Sequence, residues 1–131
     1  MNLRFIVPGT PIALARSRHG KNGNVYTPQR SLNYQEEIWI AAMKVGARQQ
    51  CFGDRPVWLG LQVFVKQPKH AAHRWPTSKP DLDNYTKQVM DAMKPCWHDD
   101  AQVVGYLSGS GKFFAGGQRI ECGDGSVRVF L

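Results

Sequence analysis

Among 131 residues there are only three cysteines, Cys51, Cys96 and Cys122, widely spaced and with no CxxC pair. An odd, scattered set makes no disulfide framework, and it fits a reducing, cytoplasmic setting. Apolar runs long enough to cross a bilayer are missing, so no membrane partner is expected. The opening MNLRFIVPGTP has a short apolar stretch but no h-region followed by a small-residue cleavage site. It reads as a first strand and not as a signal peptide. Acid is absent from two long stretches. Residues 1–35 contain no Asp or Glu and carry Arg4, Arg16, Arg18, Lys21 and Arg30. Residues 55–80 contain none either and carry Arg55, Lys66, Lys69, Arg74 and Lys79.

What is present is an ordinary globular composition, 42% apolar, in a chain of one domain's length, residues 1–131. The formal net charge of +7 alone is a weak pointer to nucleic acid, because many basic proteins bind none. The distribution says more. Between Asp81 and Asp100 lie Asp81, Asp83, Asp91, Asp99 and Asp100, half of the ten acids in the chain. An acidic cluster inside a basic chain suits a nuclease: bases attract the phosphate backbone and acids hold a cation that assists its hydrolysis.

Residues 3–7 predict a strand ending at Pro8-Gly9. Residues 15–26 are polar, basic and contain Gly20 and Gly23-Asn24, which suggests an exposed hairpin. Asn33 with Glu36 predicts a capping box, with a helix from about Tyr34 to Val45 that stops at Gly46. Val57, Leu59, Leu61, Val63 and Val65 alternate and predict a strand half buried on one face. Residues 67–80 form a proline-containing basic loop, long enough to be functional or disordered. A second helix is expected over 82–93, ended by Pro95. Strands follow at Gln102–Leu107, near Gln118–Cys122 and at Val127–Leu131, the last two joined by a turn at Gly123-Asp124-Gly125. The fold class is therefore α/β (α+β): a single mixed β-sheet with two main helices packed on it, in the order β-α-β-α-β-β.

In a helix beginning near Leu82, Asp83, Lys87 and Asp91 share one polar stripe, and Leu82, Tyr85, Val89 and Met93 face the core. Asp81 precedes the first turn. Asp99-Asp100 opens the next strand, which can run back along the helix, so that carboxylates from both starts converge. Magnesium takes oxygen ligands and usually few carboxylates, and a cation relieves the mutual repulsion of clustered acids. Lys87 offers positive charge to a phosphate. A plainer reading stays open from spacing alone. Asp81 or Asp83 is then an N-cap, Asp83–Lys87 and Lys87–Asp91 are surface pairs, and Asp99-Asp100 is a turn.

The run KPDLDNYTKQVMDAM followed by HDDAQV resembles the signature of the RusA family of Holliday junction resolvases. The pattern comprises Asp81-Leu82-Asp83-Asn84, Lys87, Asp91-Ala92 and Asp99-Asp100 with Gln102-Val103. The segment PGTPIALARSRHGKNGNVYTP is similar to the family's looser basic N-terminal stretch. The resemblance implies a homodimeric, magnesium-dependent endonuclease that makes paired nicks in four-way DNA junctions, with manganese as an alternative ion and the number of ions open. It implies metal binding by Asp81, Asp83 and Asp100, a catalytic role for Lys87, and supporting roles for Asn84, Asp91 and Asp99. One departure is the connection Met93–His98, which lacks the glycine common in the family's turn.

The expected DNA contacts are Arg16, Arg18, Lys21, Lys66, Lys69, Arg74 and Lys79, each of which is alternatively a solvated surface charge. Trp75 either stacks on an exposed base or packs its loop onto the body. His70, His73, Cys96 and His98 fit no standard zinc spacing. Gly109-Ser110-Gly111-Lys112 lacks the remaining residues of a phosphate loop and reads as a turn between strands. Competing functions are a non-catalytic binder of branched DNA and a metal-dependent nuclease without junction preference.

Overall fold

The strands of the computed structural model, which describes residues 2–115 and 126–131, are β1 (Arg4–Pro8), β2 (Arg18–His19), β3 (Val25–Tyr26), β4 (Val57–Val65), β5 (Val103–Tyr106), β6 (Gly111–Phe114) and β7 (Ser126–Phe130). Its helices are α1 (Gln29–Lys44) and α2 (Leu82–Met93). The main sheet is mixed and runs β1-β7-β4-β5, with β6 also paired to β4. β7 is antiparallel to both β1 and β4. β5 and β6 run parallel to β4, β5 alongside Val57–Leu59 and β6 alongside Gln62–Val65. β2 and β3 form the separate basic hairpin expected over 15–26.

β4 is the centre of the sheet. Val57, Leu59, Leu61 and Val63 are buried in one core with Leu3, Phe5 and Val7 of the N-terminal strand region, Val127 and Val129 of β7, and the inner faces of both helices. The expectation that β4 is half buried is corrected by its other face, where Gly60 and Phe64 are buried too. Phe64 stacks on Phe113 with ring centroids 5.4 Å apart. At Gly60 a Cβ would meet Phe130 Cβ at 3.0 Å, so the absence of a side chain lets β7 pack close.

α1 presents Tyr34, Ile38 and Ala42 to the core, four residues apart. It starts at Gln29, ahead of the expected Tyr34, and the signal was Pro28. Pro28 holds the N-cap position at φ −54° and its carbonyl accepts from the amides of Ser31 and Leu32. Asn33 therefore lies inside the helix, where its side chain accepts a hydrogen bond from Gln29 Nε2. The stop at Gly46 holds, with φ +107° and its amide donating to Met43 O.

α2 spans the predicted residues and buries Tyr85, Val89, Ala92 and Met93. A fully buried Gln88 couples the helices: its Nε2 donates to Ser31 O at 3.1 Å and its Oε1 accepts from Gln35 Nε2 at 2.9 Å. The turn between strands expected over Gly109–Lys112 is present at Ser108-Gly109, where Ser110 N donates to Leu107 O, but Gly111 and Lys112 already belong to β6. One further expectation needs correction: Asp99-Asp100 does not open a strand directly. A one-turn 3-10 helix, Asp100–Gln102, comes first, because Asp99 and Gln102 form a capping box. The strand expected near Gln118–Cys122 and the turn at Gly123-Asp124-Gly125 lie outside the described residues.

Candidate active site

The first turn of α2 carries two exposed carboxylates. Asp81 occupies the N-cap position, yet its side chain makes no capping hydrogen bond; only its carbonyl engages the helix, accepting from Asn84 N at 3.1 Å. Asp83 sits one turn below Lys87, with Nζ 3.7 Å from Oδ2 and both side chains more than 60% exposed. A pair so exposed contributes little to stability, about 0.5 kcal/mol or less. Both carboxylates are thus placed at the helix start, where its N-terminal field favours negative charge.

Three tethers fix this turn. From the N-terminal segment, Leu14 N donates to Asn84 O at 3.2 Å, and Ala15 N donates to Ser31 Oγ at 3.1 Å. This moors the chain just before Arg16, Arg18 and Lys21, all exposed on the β2–β3 hairpin and its approach. From β5, Tyr106 Oη donates to Thr86 Oγ1, which in turn donates to Leu82 O. From β6, Lys112 Nζ donates to Ser78 O at 2.8 Å and Pro80 O at 2.9 Å, immediately before Asp81.

The basic loop 67–80 arches over a groove of about 830 Å³ whose lining includes Lys66, Lys69, Trp75, Lys79, Tyr85 and Lys112. Trp75 packs against Phe113, centroids 5.7 Å apart, with the Arg74 guanidinium 5.7 Å from its ring centre. The residue still remains 54% exposed. It thus fastens the loop while leaving half its surface to solvent.

The remaining aspartates gather at the other end of α2. Lys94 Nζ stands 3.5 Å from Asp91 Oδ1 and 4.0 Å from Asp100 Oδ2. Trp97 Nε1 donates to Asp100 Oδ1 at 2.9 Å. Asp99 is committed to its own turn, accepting from Ala101 N at 2.7 Å, while Gln102 accepts from the amides of His98 and Asp99. Gln102 Nε2 then donates to Gly53 O and Arg55 O, which ties the turn to the segment before β4.

β5 does run back along α2, as its bond from Tyr106 to Thr86 attests. Asp100, however, lies at the start of that return path, beside the helix C-terminus, whereas Asp81 and Asp83 lie at the N-terminus. The ten residue steps from Asp83 to Met93, the last residue of α2, rise about 15 Å along the helix axis. Within one chain Asp100 joins Asp91, and not Asp81 and Asp83. Among the described residues no group of three His, Cys, Asp or Glu side chains is poised around a single ion.

Two lysines escaped the sequence reading. Lys94 had a local signal, its spacing of three from Asp91 on a helix. Lys112 had none, since its partners are backbone carbonyls more than thirty residues away. The candidate zinc group is dispersed: Cys96 is buried in the core with its thiol pushed up to about 12 by burial, with neighbouring Cys51 adding to the shift, and His98 is exposed.

The chain is 30% identical to a Bacillus subtilis (strain 168) protein described as "Uncharacterized protein YqaN", over 91% of this chain and 92% of that one. Residues 8–122, which include both tethered basic segments and all five central aspartates, match the family described as Endodeoxyribonuclease RusA, and the chain belongs to that family of Holliday junction endonucleases.

Proposed function

We propose that the protein is a magnesium-dependent, structure-selective endonuclease that acts as a homodimer and resolves four-way DNA junctions by paired nicks. Asp81, Asp83 and Asp100 are the metal-binding set, with manganese as a substitute ion. Lys87 offers positive charge to the phosphate, and Asn84, Asp91 and Asp99 support the set. Arg16, Arg18, Lys21, Lys66, Lys69, Arg74 and Lys79 are the contacts to the phosphate backbone.

One observation carries this reading. Two exposed carboxylates at the start of α2, Asp81 and Asp83, follow directly on one acid-free basic segment, whose end Lys112 pins to β6 through Ser78 O and Pro80 O, and the other such segment is hydrogen-bonded to their turn through Leu14 N and Asn84 O. Strand and acid are thereby brought to the same place: the bases hold the phosphates where the acids stand. A non-catalytic binder has no use for two exposed carboxylates there, since they repel the backbone it must hold.

The carboxylates of one chain do not by themselves fit one ion, because Asp100 is at the far end of α2. The reading therefore includes a second copy, arranged so that Asp100 of one chain approaches Asp81 and Asp83 of the other. A two-fold dimer of this kind has two identical sites, as two cuts in a symmetric junction require. The test is cleavage of a labelled four-way junction and of plain duplex, each with magnesium and with chelator. Paired cuts in the junction, dependent on the ion and scarce in duplex, support the proposal. Equal cutting in chelator, or none with the ion, defeats it, and equal cutting of duplex removes the junction preference.

A further inference from the structure

Lys112 is half-buried on β6, and both of its observed bonds go to main-chain carbonyls, Ser78 O and Pro80 O. Among the described residues no carboxylate lies within ion-pair distance of it. A lysine so held loses side-chain freedom to order one short piece of backbone, and the piece it orders ends at Asp81. Next to it on β6, Phe113 touches both Trp75 of the loop and Phe64 of β4. The end of the basic loop is thus fastened to the sheet at residue 75 and again at residues 78 and 80.

Asp81 stands between two constraints. Upstream, the Pro80 carbonyl is gripped by Lys112. Downstream, the Asp81 carbonyl accepts from Asn84 as α2 begins. Its carboxylate has no hydrogen bond in the helix cap, so its aim is set by the backbone that carries it. Without the ammonium, two carbonyls turn to solvent and the peptide ahead of Asp81 is free to move, because the remaining anchor, Trp75, is several residues away.

We propose that Lys112 is a positioning residue for Asp81, holding the Ser78–Pro80 backbone so that the carboxylate faces its site. The inference rests on the nuclease reading of that site. Three properties are measured on the full-length protein with Lys112→Met and Lys112→Arg: single-turnover cutting of a four-way junction, the magnesium concentration for half-maximal rate, and junction affinity in chelator across a salt series. Lys112→Met is expected to cut on the order of tenfold to a hundredfold more slowly. It should need more magnesium, and bind the junction within about threefold of wild type with an unchanged salt dependence. Lys112→Arg keeps the charge and the donors and should recover most of the rate.

Wild-type rate and magnesium requirement in Lys112→Met overturn the proposal. So does a loss of affinity that matches the loss of rate and flattens the salt dependence, because Lys112 is then a phosphate contact. If the wild-type protein itself does not cut, it is the nuclease reading that fails, and the positioning role falls with it.

Discussion

The indole of Trp97 donates to Asp100 Oδ1 at 2.9 Å from a side chain only 2% exposed. Asp100 is thus aimed by the core and not by its own short turn. Trp97→Phe retains most of the buried area and deletes the donor. It should lower unfolding free energy by about 1–2 kcal/mol, read from urea midpoints, and it should slow junction cutting by more than that loss of stability explains. A variant that loses stability but cuts at the wild-type rate would show that the bond serves the fold alone.

Gln88 makes a second prediction, about the frame behind the site. Its amide satisfies Ser31 O and Gln35 Nε2 in a place closed to water. Ser31 in turn holds Ala15 N, next to the basic hairpin. Gln88→Leu is close in volume but deletes both inter-helix bonds, to Ser31 O and from Gln35 Nε2, at a cost of about 1–2 kcal/mol. The loss should show in thermal unfolding, together with faster hydrogen exchange in residues 13–18.

These two positions mark where legibility ended. α2 and β4 were readable because their apolar residues recur at helical and strand spacing over nine or more residues. The aspartates of α2 were readable for the same reason, since a helix fixes which residues share a face. β6 was not, because four residues introduced by Gly109-Ser110-Gly111 carry no period, and its pairing is decided by β4 far away. The separation of Asp100 from Asp83 was also hidden. A strand's return along a helix can be guessed from chain length, but which end of the helix its first residues meet depends on where the 3-10 turn and Gln102 anchor it.

Burial of titratable groups yields a third prediction. The thiol of Cys96, ordinarily at 9.0, is pushed up to about 12, and Tyr34 and Tyr85 are also raised, in each case chiefly by burial. Each group stays protonated in the fold at a pH where the unfolded chain has released its proton. Below pH 9 the two states bind these protons equally and stability is flat. Above it the unfolded state binds fewer, so stability falls as pH rises toward 12. Urea midpoints should hold between pH 7 and 8.5 and decline steadily from pH 9.5 to 11. Cys96→Ala, compared with wild type over that range, should reduce the slope. A midpoint that rises with alkali would contradict the burial of all three groups.

The separation of the carboxylates along α2 makes the sharpest prediction. Asp83→Asn and Asp100→Asn should each abolish cutting, and Asp83→Asn should keep or improve junction affinity, because a charge that repels phosphate is gone. If each site draws Asp83 from one copy and Asp100 from the other, a mixed dimer holds one site with both changes and one with neither. Equal mixing of the two inactive proteins, with exchange of subunits, gives half mixed dimers and so restores about a quarter of the wild-type sites. Because each mixed dimer has one working site, the product should be singly nicked junctions in place of paired cuts. A gel that separates nicked from resolved junction reads this directly. Sites built within single chains predict no recovery at any mixing ratio, since every site would then carry one of the two substitutions.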